Sequence, residues 1–262
     1  MTYNQKIIRQ KAGIAFILFV IVLKVQAYDF EVNGIYYNIT AKNEVEVTHG
    51  TDTFNTYSGK IVIPRTIQNG SKKYNVTRVG SCAFIDCKNL NSVIIPNGVT
   101  SIGYAAFGDS GISFITISNS VKIIGPHAFA LCQNLTSIVI PEGVKRIENA
   151  VFSGCSNLVS VTLPNSVSYI GNVVFFQCKK LEYIAIPKNI SDFESCSLFL
   201  QCESLKHIKV PWNIPPKVIV TFNEMNISQC TLLVPKGCKL NYLQAEVWKD
   251  FGTIEEYNTR KR

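Results

Sequence analysis

Nine cysteines, three histidines and one Gly-Asp-Ser-Gly stretch are the side chains best suited to chemistry in this 262-residue chain. Structural zinc needs Cys and His at short, paired spacings. No Cys-x-x-Cys occurs, and no His accompanies a Cys pair, so no metal site is expected. Gly108-Asp109-Ser110-Gly111 has the form of a serine-protease nucleophile loop. A triad also needs a positioned histidine and acid. His49 falls in the N-terminal flank, His127 follows Pro126 in a turn and His207 lies on a strand, so none is placed to serve Ser110. The phosphate, dinucleotide, Gly-x-Ser-x-Gly and His-Glu-x-x-His fingerprints are missing. Glu148, Glu182 and Glu203 read as scattered solvated side chains rather than a glycosidase pair. The chain is therefore expected to be non-enzymatic, with no catalytic residue and no cofactor. A hydrolase of cell-surface polymer is the weakest alternative.

What places the cysteines is a repeat. Phe84, Phe107, Phe129, Phe152, Phe175, Phe199 and Phe222 recur at intervals of 22 to 24 residues. A small or aliphatic residue precedes most of them (Ala83, Ala106, Ala128, Val151, Val174, Leu198), and Leu90, Leu135, Leu158, Leu181 or Leu205 follows six residues later. An apolar-x-apolar-Pro segment comes next, as in Ile138-Val139-Ile140-Pro141, and then an apolar pair three apart, as in Val144 and Ile147. Such a period belongs to the leucine-rich-repeat range. Alternation in the segment before Pro marks a strand, and Pro ends it because it cannot donate to a ladder. One coil cannot bury its own apolar side chains; stacked coils can, strand on strand. The expected fold is a leucine-rich-repeat solenoid with one short parallel β-strand per ~23-residue coil.

Cys87, Cys132, Cys155, Cys178 and Cys202 all lie three residues after their Phe, so one cause places all five. Ser110 takes that position in the one coil that is a residue short. They read as a column of small, buried, unpaired thiols at the turn. The alternative is disulfides between coils, but stacked Cβ vectors run parallel where a bridge needs them to converge. Cys82, Cys196, Cys230 and Cys238 fit no column, and Cys230 with Cys238 could bridge within the last coil.

The frame A-F-x-x-C-x-x-L-x-x-I-x-I-P-x-x-V-x-x-I-G resembles the BspA-like class of leucine-rich repeats over about residues 61–238. The flanks resemble that class too: Tyr28 to Ile39 at the entry, and Cys230 to Gly237 with Tyr242, Ala245, Trp248 and Phe251 at the close. The resemblance implies a cell-surface or secreted interaction protein and names no ligand.

The chain divides into a signal peptide (1–27), an N-terminal β cap (28–60), a solenoid of about seven coils (61–238) with an insertion at 66–76, and a C-terminal capping helix with a basic tail (239–262). Lys6, Arg9 and Lys11 precede the apolar run Ala12 to Leu23, and Val25-Gln26-Ala27 offers small residues for cleavage. Export is expected, to the cell surface or medium, with the periplasm possible. Asn33-Gly34 marks a hairpin in the first cap. Leu240, Leu243, Val247 and Phe251 stand at helical spacing in the last. The formal charge of +8 suggests nucleic acid at first sight. Four of those bases leave with residues 1–27, and Arg260, Lys261 and Arg262 form the tail. Residues 28–259 carry 19 bases and 18 acids, so nucleic acid is not an expected partner, and contact with membrane is confined to the signal peptide during export.

The expected working surface is the outer face of the strands. One column reads Ser92, Phe114, Ser137, Ser160, Tyr183 and His207; the other reads Ile94, Thr116, Val139, Thr162, Ala185 and Lys209. Solenoids bind partners on extended faces. A protein or glycan on another cell or in the envelope is the expected partner. The bland alternatives are an ordinary sheet surface, which favours Thr, Val and aromatics anyway, and a structural envelope module without an extracellular ligand.

Overall fold

The computed structural model describes residues 27–50, 54, 56–190, 197–217, 222 and 225–258. The expected signal segment, apart from Ala27, the terminal tail and Cys196 lie outside the described residues. The chain forms a parallel β-solenoid of about seven turns with little helix. At its N-terminal end β1 (Phe30–Val32) and β2 (Ile35–Ala41) pair antiparallel, and β3 (Glu44–Thr48) continues antiparallel to β2. Asn33 (φ 54) and Gly34 (φ 76) make the turn between Val32 and Ile35. Both residues are left-handed, as a two-residue hairpin of the twist-matching class requires. The 66–76 insertion is a second hairpin: β5 (Thr66–Asn69) runs antiparallel to β6 (Lys72–Val79), and β6 then lies parallel to β3.

The strand of each coil builds one parallel face: β4 (Gly59–Val62), β7 (Leu90–Ile95) and β9 (Phe114–Ile117), followed by β11 (Ser137–Val139), β13 (Ser160–Thr162), β15 (Tyr183–Ala185), β16 (His207–Lys209), β17 (Thr231–Pro235) and β18 (Thr253–Tyr257). The apolar pair after each Pro forms a second ladder of two-residue strands: β8 (Ser101–Ile102) and β10 (Ile123–Ile124), then β12 (Arg146–Ile147) and β14 (Tyr169–Ile170). Alternation is too short in Arg146-Ile147 to announce a strand, so the sequence shows only the apolar return.

The third side has a ladder of its own. Phe84 N–H donates to Ala106 O (2.7 Å), Phe107 to Ala128 (2.8 Å), Phe129 to Val151 (3.0 Å) and Phe152 to Val174 (3.0 Å). Residues two before the Phe (Cys82, Ala105, His127, Ala150, Val173) and two after it (Asp86, Asp109, Leu131, Gln177, Gln201) have φ between 46 and 61. Alternating left-handed residues turn every second amide towards the next coil. Only Gly154 among these positions is glycine. The strain falls on ordinary residues at ~1–2 kcal/mol each, which the coil-to-coil hydrogen bonds and the buried Phe between them must offset.

Inside, the phenylalanines form one continuous stack. Successive rings from Phe84 to Phe222 lie 5.0, 5.3, 5.8, 5.7, 5.8 and 6.2 Å apart with interplanar angles of 2 to 11°. Each Phe contributes ~1.5–3 kcal/mol by burial. Tyr57 begins the stack at 4.7 Å from Phe84. Trp248 and Phe251 end it edge-on at 5.4 and 5.2 Å from Phe222.

The expected capping helix over 239–251 forms only over its first five residues. α1 spans only Lys239–Leu243, and Leu240 (70% exposed) and Leu243 (44%) face solvent. Helices this short gain little from their own hydrogen bonds. The aromatic residues decide the path instead. Tyr242 O–H donates to Trp212 O (2.7 Å), Trp248 Nε1–H to Pro216 O (2.8 Å), and Val247 turns left-handed (φ 69) between them. The chain then adds β18, parallel to β17 over five residue pairs. Glu256 Oε1 accepts the N–H groups of Gly237 and Lys239 and ties α1 to β18, and these two bonds hold its carboxyl below the usual range. Among the described residues no helix is long and apolar enough to cross a membrane.

Candidate functional site

The long strands bring the two outward columns into register. Ser92 pairs with Phe114 and Ile94 with Thr116; Ser137 with Ser160 and Val139 with Thr162; Ser160 with Tyr183; Tyr183 with His207 and Ala185 with Lys209. The structure lengthens both columns. Lys60 and Val62 stand opposite Ser92 and Ile94, while Thr231 and Leu233, then Thr253 and Glu255, continue from His207 and Lys209. Thr253 and Glu255 follow the expected helix and fall outside the ~23-residue frame, so the sequence columns end at His207 and Lys209. A five-residue alternating run, Thr253 to Tyr257, was the available signal.

Phe114 (56% exposed) and Val139 (65%) lie on β9 and β11, which end one sheet and begin the next in contact with each other, and Val62 and Tyr183 are also exposed. From Ser92 to Ala185 the two columns carry no charged side chain. Lys60 stands at one end and Lys209 at the other. Lys209 Nζ lies 3.9 Å from the centre of the Tyr257 ring, whose O–H donates to Val210 O (3.0 Å). Burial raises the Tyr183 hydroxyl above its ordinary range, so it stays a neutral donor. Chemically, the face is a broad uncharged platform of hydroxyls with a few exposed apolar and aromatic side chains.

The cysteine column is a set of hydrogen-bond donors. Four of its five thiols reach back one coil to a Phe carbonyl: Cys132 to Phe107 O (3.0 Å), Cys155 to Phe129 O (3.0 Å), Cys178 to Phe152 O (3.2 Å) and Cys202 to Phe175 O (3.0 Å), while Cys87 Sγ accepts Tyr57 N–H (3.5 Å). Burial pushes Cys132 and Cys202 up to about 12, and Cys155 and Cys178 well above their ordinary value. A thiol held neutral is neither a nucleophile nor a ready metal ligand. No disulfide joins any of the eight described cysteines, so the alternative bridge between Cys230 and Cys238 is not made. Cys230 instead donates to Leu205 O (3.0 Å). Ser110 is buried with its Oγ 3.6 Å from Cys132 Sγ, in the column and not in a catalytic array. Its neighbour Asp109 pairs with Lys88, and His127 packs against Tyr104 at 5.5 Å. Among the described residues no three His, Cys, Asp or Glu side chains group as metal ligands.

No curated protein matches the chain. Among solved structures, a leucine-rich repeat protein of T. pallidum is 29% identical with a TM-score of 0.59, over 69% of this chain and 84% of that one. A leucine-rich repeat protein from Bacteroides ovatus is 20% identical with a TM-score of 0.31, over 88% and 90%. A leucine rich cell surface protein from Faecalibacterium prausnitzii is 18% identical with a TM-score of 0.28, over 88% and 95%. Residues 64–144 and 122–234 match the BspA type Leucine rich repeat region, in six copies, which is the span that carries the stacked phenylalanines and the thiol column. The chain belongs to the BspA type leucine-rich repeat family.

Proposed function

We propose that this protein is a non-enzymatic, exported interaction module that binds a protein or glycan of another cell or of the envelope through its long-strand face. The observation that carries the proposal is the uncharged platform from Ser92 to Ala185, with Phe114, Val139 and Tyr183 exposed upon it. Exposed apolar side chains grouped on one surface mark contact sites. Family membership supports an interaction role, and the basic-apolar-small order of residues 1–27 supports export. Capture of partners from host or neighbouring cells, alongside a glycan array, tests it. Charged substitutions at Phe114, Tyr183 and His207 should abolish capture; binding that survives all three overturns the strand-face assignment. External protease on intact cells tests location. A chain cleaved only after the outer envelope is opened would favour a structural envelope module instead.

A further inference from the structure

A second side of the solenoid carries a pattern that the long-strand face does not explain. On the short-strand ladder the outward column runs Arg78, Ser101, Ile123 and resumes at Arg146, Tyr169. The residues just before these strands are Thr100, Lys122, Lys145 and Ser168. A groove of about 360 Å³ opens here, lined chiefly by Lys122, Ile123, Lys145, Arg146 and Glu148. Lys122 Nζ donates to Asn119 O (2.8 Å) and Glu142 O (3.3 Å), which fixes the ammonium and leaves one of its three donors for a ligand. Arg146 is held twice: its Nε lies 2.7 Å from Glu148 Oε1 and its guanidinium carbon 3.7 Å from the Tyr169 ring centre. Among the described residues Lys145 makes no ion pair. Ile123, 62% exposed, makes an apolar floor.

Three cations thus face one carboxylate, which is already engaged by Arg146. Residues 28–259 are nearly neutral, with 19 bases and 18 acids, so this concentration does not follow from composition. The cations come from two successive coils, Lys122 from one and Lys145 with Arg146 from the next. A small anion needs one such group; an extended polyanion can meet all three. Bare phosphate chains would leave Ile123 wet, whereas a sugar ring can cover it.

We infer that this groove binds an acidic polysaccharide, with uronate carboxylates on Lys122, Lys145 and Arg146 and a sugar ring face on Ile123. The site is independent of the long-strand face. The test is fluorescence anisotropy of labelled polygalacturonate with the purified chain, using dextran as the neutral polymer and inorganic polyphosphate as the ringless polyanion. Polygalacturonate should bind, weakening steeply as salt rises from about 50 to about 200 mM, and dextran should not. Lys145→Glu should weaken binding about fivefold and Lys122→Gln about threefold, the range of exposed ion pairs. Ile123→Ser should weaken polygalacturonate but not polyphosphate. Phe114→Glu should leave polygalacturonate binding unchanged, which separates this site from the strand face. The inference is overturned if polyphosphate binds more tightly than polygalacturonate. It also falls if Lys145→Glu and Lys122→Gln, shown folded by circular dichroism, bind as the parent does.

Discussion

The inside of the solenoid repeats and the outside does not. Phe84 through Phe222 hold one place in every coil, and their rings stay within 2 to 11° of parallel. The outward residues at equivalent strand positions are Ser92, Phe114, Ser137, Ser160, Tyr183 and His207, six positions with four side-chain types. An interior position touches its own copy in the coils above and below, so a change of volume there breaks two contacts at once. An outward position touches water on one side and is free to vary. Constancy along a column therefore reports packing, and variation along a column marks where recognition can be written.

The largest break of this contrast is Phe152→Ala. It removes a fully buried ring that stacks on both sides and should cost ~3–5 kcal/mol in denaturant unfolding. Phe114→Ala on the outer face should stay within ~0.5 kcal/mol. Equal losses would erase the distinction between the two columns. Next is Cys155→Ala, which takes the thiol donor from the Phe129 carbonyl but leaves it the Cys132 N–H, and should cost ~0.5–1.5 kcal/mol. Alkaline pH should act on the same column. The Cys132 thiol is raised from 9.0 to about 12 in the fold. Stability from its neutral form is complete below pH 9 and is lost as pH rises towards 12, because the unfolded thiol ionises first. Urea midpoints should fall across that window for the parent and less for Cys132→Ala. Smallest is Val173→Asn. Val173 is β-branched and left-handed (φ 50), and Asn tolerates that region better, so the melting temperature should rise, by an amount equivalent to ~1 kcal/mol or less.

Much of the interior was legible because each inward residue is written about seven times. Period, strand position, the Phe stack and the thiol column all follow from aligned residues. The left-handed pairs were not legible, because Cys82, Ala105, His127, Ala150 and Val173 are of four residue types. The constraint there acts on backbone, and coil-to-coil hydrogen bonds impose it on whatever side chain is present. The second ladder was hidden for a related reason: two-residue strands such as Arg146-Ile147 are too short to show alternation. At the C-terminal end, helical spacing of Leu240, Leu243, Val247 and Phe251 misled. Trp248 and Phe251 gain more by closing the aromatic stack than the helix gains by continuing.

For the candidate surfaces the division is similar. Sequence alone assigned the outward columns Ser92 to His207 and Ile94 to Lys209, since alternation fixes which residues leave the core. Tertiary structure decided how far those columns run, adding Lys60, Val62, Thr253 and Glu255, and which side chains meet across coils. Lys122 and Arg146 are separated by a whole coil of chain, and no local pattern joins them. Only stacking brings them to one groove, because contacts along a solenoid form between residues one period apart and depend on the register of neighbouring coils.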